Sequence, residues 1–163
     1  MPATATSHRF TLNFGTKYEF AVKAKDGAGN WSAFQYGPAI TPKPTDDTAF
    51  QLSGATWSRY SWSGYAFGGT AITTSQSGAW IQHSFTGRDV ALVAPLFSTA
   101  GRAHIYCDGA FKATIDLYSA SLRTQATAYW CSFSQYGQHT MKVVVEGTSG
   151  RPRVDVDAFV ALT

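Results

Sequence analysis

Charge is scarce in this chain: Asp, Glu, Lys and Arg make up 14% of its 163 residues, against about a quarter in an ordinary globular domain. No Lys/Arg run is present to track a phosphate backbone, which argues against nucleic acid as a partner. Long apolar runs are also missing. No stretch approaches the roughly eighteen residues of a membrane-spanning helix, and no basic amphipathic helix offers itself to a membrane surface. The motifs G-x-S-x-G, H-E-x-x-H, G-x-x-x-x-G-K-[ST] and G-x-G-x-x-G are all absent, so the sequence points away from an enzyme. The opening Met1-Pro2-Ala3-Thr4 has neither a charged n-region nor an apolar h-region; an export signal is expected upstream of this stretch, or the protein is not exported.

What the chain does have is ring and glycine: 5 Trp, 8 Tyr, 11 Phe and 15 Gly, with 44% hydrophobic residues overall. That apolar content excludes disorder, and aromatic and β-branched side chains suit pleated sheets. The net charge of +3 belongs to the N-terminal piece. There Arg9, Lys17, Lys23, Lys25 and Lys43 face Glu19 and Asp26, while residues 45–163 balance. It is therefore no basic groove.

Cys107 and Cys131 fit no zinc spacing, which needs paired ligands at short intervals. In an exported protein they form one disulfide between neighbouring strands; the alternative is two buried thiols inside strand-like runs. Spacing does not decide, because the bond depends on Cα separation.

Gly, Pro, Asn and Asp clusters cut the chain into short alternating runs without a helical stripe. In the first block Tyr18, Phe20, Val22 and Ala24 share one face, which predicts a half-buried strand, followed by a turn over Asp26 to Asn30. Leu12, Gly15-Thr16, Tyr18, Phe20, Val22, Ala24 and then Asp26 to Ser32 resemble the C-terminal part of a bacterial fibronectin type III domain. The resemblance covers about residues 8–41 of a partial domain expected over 1–41, and implies that Tyr18 is a tyrosine-corner residue. It also implies an upstream domain missing from this chain, and an open sheet edge through which self-assembly could occur. Pro42 to Asp47 reads as a linker, since prolines 42 and 44 oppose ladder pairing.

Residues 48–163 predict about eight or nine strands of an antiparallel sandwich. They comprise 79–85, which Thr86-Gly87 is expected to end, a run from 90 to 94, 103–107 joined through the hairpin signal Asp108-Gly109 to 111–117, then 129–133, 140–146 and 153–162. In the last, Val154, Val156, Ala158, Val160 and Leu162 are expected on one face and Asp155, Asp157 and Phe159 on the other. Gly54-x-x-Trp57, Gly68-Gly69-Thr70, Phe85-Thr86-Gly87, Ile105 to Gly109, Ile115 to Tyr118, Gly137-x-His139-Thr140, Val143 to Gly147 and Arg151 to Val160 resemble the galactose-binding-like jelly-roll modules of secreted bacterial proteins. The expected fold class is all-β: such a jelly roll preceded by a partial fibronectin type III sandwich. The resemblance implies a non-catalytic carbohydrate-binding module, in some relatives with a structural calcium.

Trp57 to Tyr65 carries four large rings among Ser, Gly and one Arg. Pyranose rings stack their C–H faces on such rings, and their hydroxyls take polar neighbours. Trp57 matches a family core position; Tyr60, Trp62 and Tyr65 stand in loop-like context and are the candidate platform, with Arg59 and Arg123 as polar anchors. The alternative is that these rings fill sandwich layers. Asp155 and Asp157 point the same way from one strand and either ligate calcium or pair with Arg151, Arg153 or a turn. No other cofactor is implied. His83 is expected buried and hydrogen-bonded, and His139 to pack or cap a turn. The expected partner is a polysaccharide or cell-surface glycan outside the cell; the second reading is a spacer, adhesin segment or filament subunit.

Overall fold

The computed structural model describes residues 10–54 and 56–163, so His8 and Arg9 lie outside the described residues. The chain divides into two compact units, one ending at Pro42 and one beginning at Lys43.

In the first unit, strand β1 (Ala21–Val22) pairs antiparallel with β2 (Gln35–Tyr36), flanked by bridges Tyr18–Ile40 and Lys25–Trp31. The Asn13 N–H donates to Tyr18 Oη at 2.8 Å. Asp26 accepts from the Ala28 and Asn30 N–H groups and from Asn30 Nδ2, and these bonds, from Asn30 above all, lower its pKa. The expected half-buried face is only partly present. Tyr18 and Phe20 are half-buried, but Val22 and Ala24 are exposed, because no second layer among the described residues of this unit covers them.

The second unit is an all-β sandwich. Its strands are β3 (Pro42–Asp46), β4 (Gln51–Leu52), β5 (Ser58–Ser61), β6 (Thr70–Thr74), β7 (Trp80–Leu96), β8 (Arg102–Cys107), β9 (Ala110–Asp116), β10 (Arg123–Val145), β11 (Val154–Val156) and β12 (Ala158–Leu162). Among the described residues they form a larger sheet in the order β3-β12-β7-β10-β8-β9, with β4 also on β7, and a smaller sheet β11-β6-β5. Between the sheets lie Ile72, Ile81, Leu92, Ile105, Met141, Val143, Val154 and Phe159, all essentially inaccessible. Alternation explains most of this set: Met141, Val143 and Val145 point inward from β10, as do Ala103, Ile105 and Cys107 from β8. Asp108 and Gly109 turn the β8–β9 hairpin with φ of 47° and 75°, the two positive values that a type I′ turn needs.

Three departures from the sequence pattern have physical causes. The predicted linker at 42–47 supplies β3, an edge strand of the larger sheet. Prolines two residues apart remove N–H donors from one edge of a strand only, so the other edge can pair. Runs 79–85 and 90–94 merge into β7, and 129–133 and 140–146 into β10. Gly87 reads as a stop but stands where a Cβ would collide with the Leu162 backbone oxygen; it marks close strand approach instead. The final run splits at Asp157, where the chain leaves the smaller sheet, with Val156 opposite Ile72, for the larger, with Ala158 opposite Val93. That step reverses the inward phase: Phe159 and Ala161 are buried, whereas Val160 and Leu162 are only half-buried.

Candidate functional site

The aromatic row is built by β5 and the turn after it. Tyr60 and Ser61 pair with Ala71 and Thr70 of β6, which anchors the run. Gly64, at φ 81°, then allows a tight turn in which Trp62 O accepts from the N–H of Tyr65 at 3.1 Å and of Ala66 at 3.0 Å. The turn folds Tyr65 back toward Trp62. Ring centroids are 5.8 Å apart from Tyr60 to Trp62, and again 5.8 Å from Trp62 to Tyr65. Tyr65 is 54% exposed; Tyr60 and Trp62 are half-buried.

Beside this row lies a depression of about 260 Å³ lined by Tyr60, Trp62, Phe97, Leu122, Arg153 and Asp155. A wider groove of about 420 Å³ shares Tyr60 and Arg153 and adds the hydroxyls of Ser58, Thr73 and Ser75. Arg153 joins the two. Its guanidinium lies 5.7 Å from the Tyr60 ring centroid and 5.2 Å from that of Phe97. Its Nε and Nη2 donate to the two oxygens of Asp155, each at 2.7 Å. Tyr60 Oη donates to Asp155 Oδ2 at 2.7 Å and Thr73 Oγ1 to Oδ1 at 2.5 Å. Burial, and then the Asp155 carboxylate, push the Tyr60 hydroxyl well above its ordinary pKa, so it remains a donor at neutral pH. The arrangement is a rigid aromatic floor with a fixed guanidinium and several hydroxyls, suited to a polyhydroxylated ligand with apolar faces.

Of the residues read from sequence, the structure brings together Tyr60, Trp62 and Tyr65. Arg59 serves another purpose: its Nε donates to Asp47 Oδ2 at 2.5 Å and its Nη2 to Asp47 O at 3.0 Å, and Asp47 is buried. Arg123 opens β10 opposite Leu96 and is exposed, next to the lining residue Leu122. Arg153 and Phe97 were not singled out for the site, because they lie far along the chain from the Trp57–Tyr65 run. Trp57 packs against the core, as its family position implied, and its buried Nε1 has no hydrogen-bond partner among the described residues.

Asp155 and Asp157 do not converge on one point. Asp155 is fully engaged as described, while Asp157, at the sheet crossing, accepts from Phe67 N at 2.7 Å through Oδ1 and leaves Oδ2 without a hydrogen-bond partner among the described residues. Calcium takes six to eight oxygens, and no group of three or more acidic, His or Cys side chains suited to a metal occurs among the described residues. The two carboxylates by themselves supply fewer free oxygens than that ion needs. Burial, with a smaller push from Asp47, raises Asp157 to a pKa of about 6.

Cys107 and Cys131 are joined in a disulfide, with Cα atoms 6.3 Å apart. The histidines are spread over separate surroundings. His83 stacks on Phe159 with centroids 5.3 Å apart, and burial lowers its pKa. His104 Nδ1 meets Thr114 Oγ1 at 2.9 Å. His139 Nδ1 meets Asp108 Oδ2 at 2.7 Å, which raises the imidazole pKa. His139 also stacks on Phe133 with centroids 3.8 Å apart.

No family model matches the chain. Among curated proteins it is 28% identical, over 150 residues, to an A type blood N-acetyl-alpha-D-galactosamine deacetylase of Flavonifractor plautii. The match covers 85% of this chain but only 18% of that relative's length. Solved structures similar in fold include the following three. The CBM36-1 domain of a multidomain xylanase from the hindgut metagenome of Trinervitermes trinervoides has a TM-score of 0.55 at 12% identity, over 76% of this chain and 97% of that one. A GH26-CBM35 β-(1,4)-mannanase of Podospora anserina scores 0.54 at 14% identity, over 75% of this chain and 28% of that one. A Paenibacillus xanthan lyase scores 0.54 at 16% identity, over 74% and 13%. At such identities the likeness is one of fold, and that fold is the jelly-roll β-sandwich of carbohydrate-binding modules.

Proposed function

We propose that this chain is a non-catalytic carbohydrate-binding module of an extracellular multidomain protein, and that its glycan seat is the Tyr60–Trp62–Tyr65 row with Arg153 beside it. The observation that carries the reading is the row itself: three rings at 5.8 Å steps, flanked by a guanidinium that Asp155 locks in place. Rigid rings and pre-positioned polar groups lose little entropy on binding. The disulfide supports an oxidising compartment. Such a module holds a linked catalytic domain near an insoluble glycan, raising effective concentration without chemistry of its own.

The test is retention on insoluble and arrayed neutral polysaccharides, with and without EDTA. Trp62→Ala is expected to weaken retention about tenfold or more, the effect of removing a central aromatic anchor, while thermal unfolding stays close to wild type. Equal binding by that variant would remove the row as the seat. Loss of binding in EDTA would direct attention to Asp157, the buried carboxylate with a free oxygen.

A second reading, an assembly or spacer module, rests on the first unit, where Val22, Trp31, Phe34 and Tyr36 are each at least 50% exposed. We infer for this unit the fibronectin type III half-domain that its motif resembles. The Asn13–Tyr18 bond supports that assignment as the expected tyrosine corner, and so does the Asp26 turn. Concentration-dependent assembly in light scattering would favour this reading; a strict monomer at high concentration would remove it.

A further inference from the structure

A second ligand seat emerges where the larger sheet splits. From Ala126 to Ser132, β10 pairs with β7 on one edge, but β8 takes its other edge only from Met141 to Val145. Between the unpaired stretch of β10 and the β8–β9 hairpin a depression of about 230 Å³ opens, lined by Lys112, Tyr129, Trp130, Ser132, Phe133 and the Cys107–Cys131 disulfide. The disulfide spans the split and fixes its width.

Its walls have the chemistry of a sugar site with one added charge. Trp130 is 66% exposed, and its ring stacks on Tyr129 at 6.3 Å and 27°, so the inner ring backs the outer. Just before them an extra residue, Ala128, is inserted between the Thr127–Val93 and Tyr129–Leu92 pairs; such a bulge re-aims side chains. This edge, unpaired among the described residues, presents alternate backbone N–H and C=O groups, and Ser132 adds a hydroxyl. Lys112 is exposed and has no ion-pair partner among the described residues. No carboxylate lines the depression.

That last point separates the two seats. At the first, the charge of Arg153 is cancelled by Asp155; at the second, the ammonium is uncancelled. We infer that the depression at Trp130 is a second, independent carbohydrate seat selective for an acidic sugar residue, a hexuronate. The sugar's C–H face would lie on Trp130 and its carboxylate against Lys112. This extends the reading of the first seat without depending on it.

The experiment is calorimetric titration with oligogalacturonate and alginate oligomers, and with methyl-esterified oligogalacturonate as the neutral counterpart, at low and high salt. The wild-type chain is expected to bind at least one acidic oligomer, more weakly at high salt because the contact is an exposed charge pair. Trp130→Ala should weaken this binding about tenfold or more, as for a central aromatic anchor. Lys112→Gln should reduce it about two- to fivefold, the scale of an exposed ion pair, and abolish the preference over the methyl ester. Both side chains are solvent-exposed, and matching thermal unfolding curves check that the variants fold. Trp62→Ala should leave the acidic titration unchanged. The inference is overturned if neither acidic oligomer binds, if the ester binds equally well, if Trp130→Ala is silent, or if Trp62→Ala alone abolishes acidic binding. Failure of the first seat reads out separately, as neutral-glycan retention insensitive to Trp62→Ala.

Discussion

Asp155 lies on the smaller sheet with its two oxygens taken by Thr73, Tyr60 and Arg153, whereas Asp157, two residues on and equally buried, keeps Oδ2 with no hydrogen-bond partner among the described residues. Strand alternation alone makes them equivalent. The difference arises because β11 ends at Val156 and the chain crosses to the larger sheet, with Asp157 N donating to Val93 O at 3.1 Å. Asp157 then serves the backbone, tying down Phe67 N at the loop that leads into β6. The cation nearest its neighbour Asp47 is Arg59, which is already engaged there. A buried carboxylate with its own guanidinium forms a stable floor for a ligand site; one without becomes a group whose charge the fold resists.

The largest expected effect comes from removing the cation that distinguishes the two. Arg153→Met leaves the buried Asp155 without its counter-charge; because Arg153 is itself half-exposed, the cost is expected at about 2–3 kcal/mol, below that of a fully buried pair. Tyr60 and Thr73 still donate, which puts the expectation near the low end of that range. Urea unfolding should show a lowered midpoint with an unchanged slope. A loss under about 0.5 kcal/mol, within the range of an ordinary surface substitution, would mean that the two hydroxyls suffice, and that Asp155 and Asp157 differ less than their partners suggest.

Asp157→Asn tests the other side. The folded-state pKa of about 6 lies above the ordinary 3.8, so folding favours the protonated form. Stability from this group is fully present below about pH 4, falls as pH rises between about 4 and 6, and stays low above that. Asparagine cannot ionise, and its side-chain oxygen can still accept from Phe67 N. The variant should therefore be more stable than wild type at pH 8, by about 1–3 kcal/mol, and nearly equal to it at pH 4. Thermal unfolding across that range measures this. A variant less stable at pH 8 would show that the ionised carboxylate is compensated after all, by a bound cation for instance.

How much of this was legible beforehand follows the reach of each signal. The Asp108-Gly109 hairpin and the clustering of Tyr60, Trp62 and Tyr65 are local features, and the residues themselves carry them. The sequence around Arg153 offers it only as a partner for the acids, since nothing in that neighbourhood shows that it faces Tyr60 across the smaller sheet. Arg59 looks like a ligand anchor in the sequence because its partner in the structure, Asp47, lies in a stretch to which two prolines give the look of a linker. Asp157 and Phe159 were assigned to the wrong faces for a similar reason. Period-two reasoning holds only while a strand stays in one sheet, and nothing between Val156 and Ala158 announces the crossing. Gly87 looks like a strand end in the sequence because glycine marks a close approach as well as a turn.

The smallest expected effect is the most discriminating for function. Tyr60→Phe removes one donor from Asp155 and leaves Arg153 on the same oxygen, so it should cost about 0.5–1.5 kcal/mol, the net value of one hydrogen bond. The ring remains, and with it the first member of the aromatic row. If that row binds sugar by its faces, neutral-glycan retention should hardly change in Tyr60→Phe and should fall sharply in Tyr60→Ala, although both lose the hydroxyl. Equal loss in the two variants would move the recognition from the ring to the Tyr60–Asp155–Arg153 network. Asp155 would then be a ligand-ordering group as well as the neutraliser of Arg153, and its contrast with Asp157 would be one of function as well as of charge.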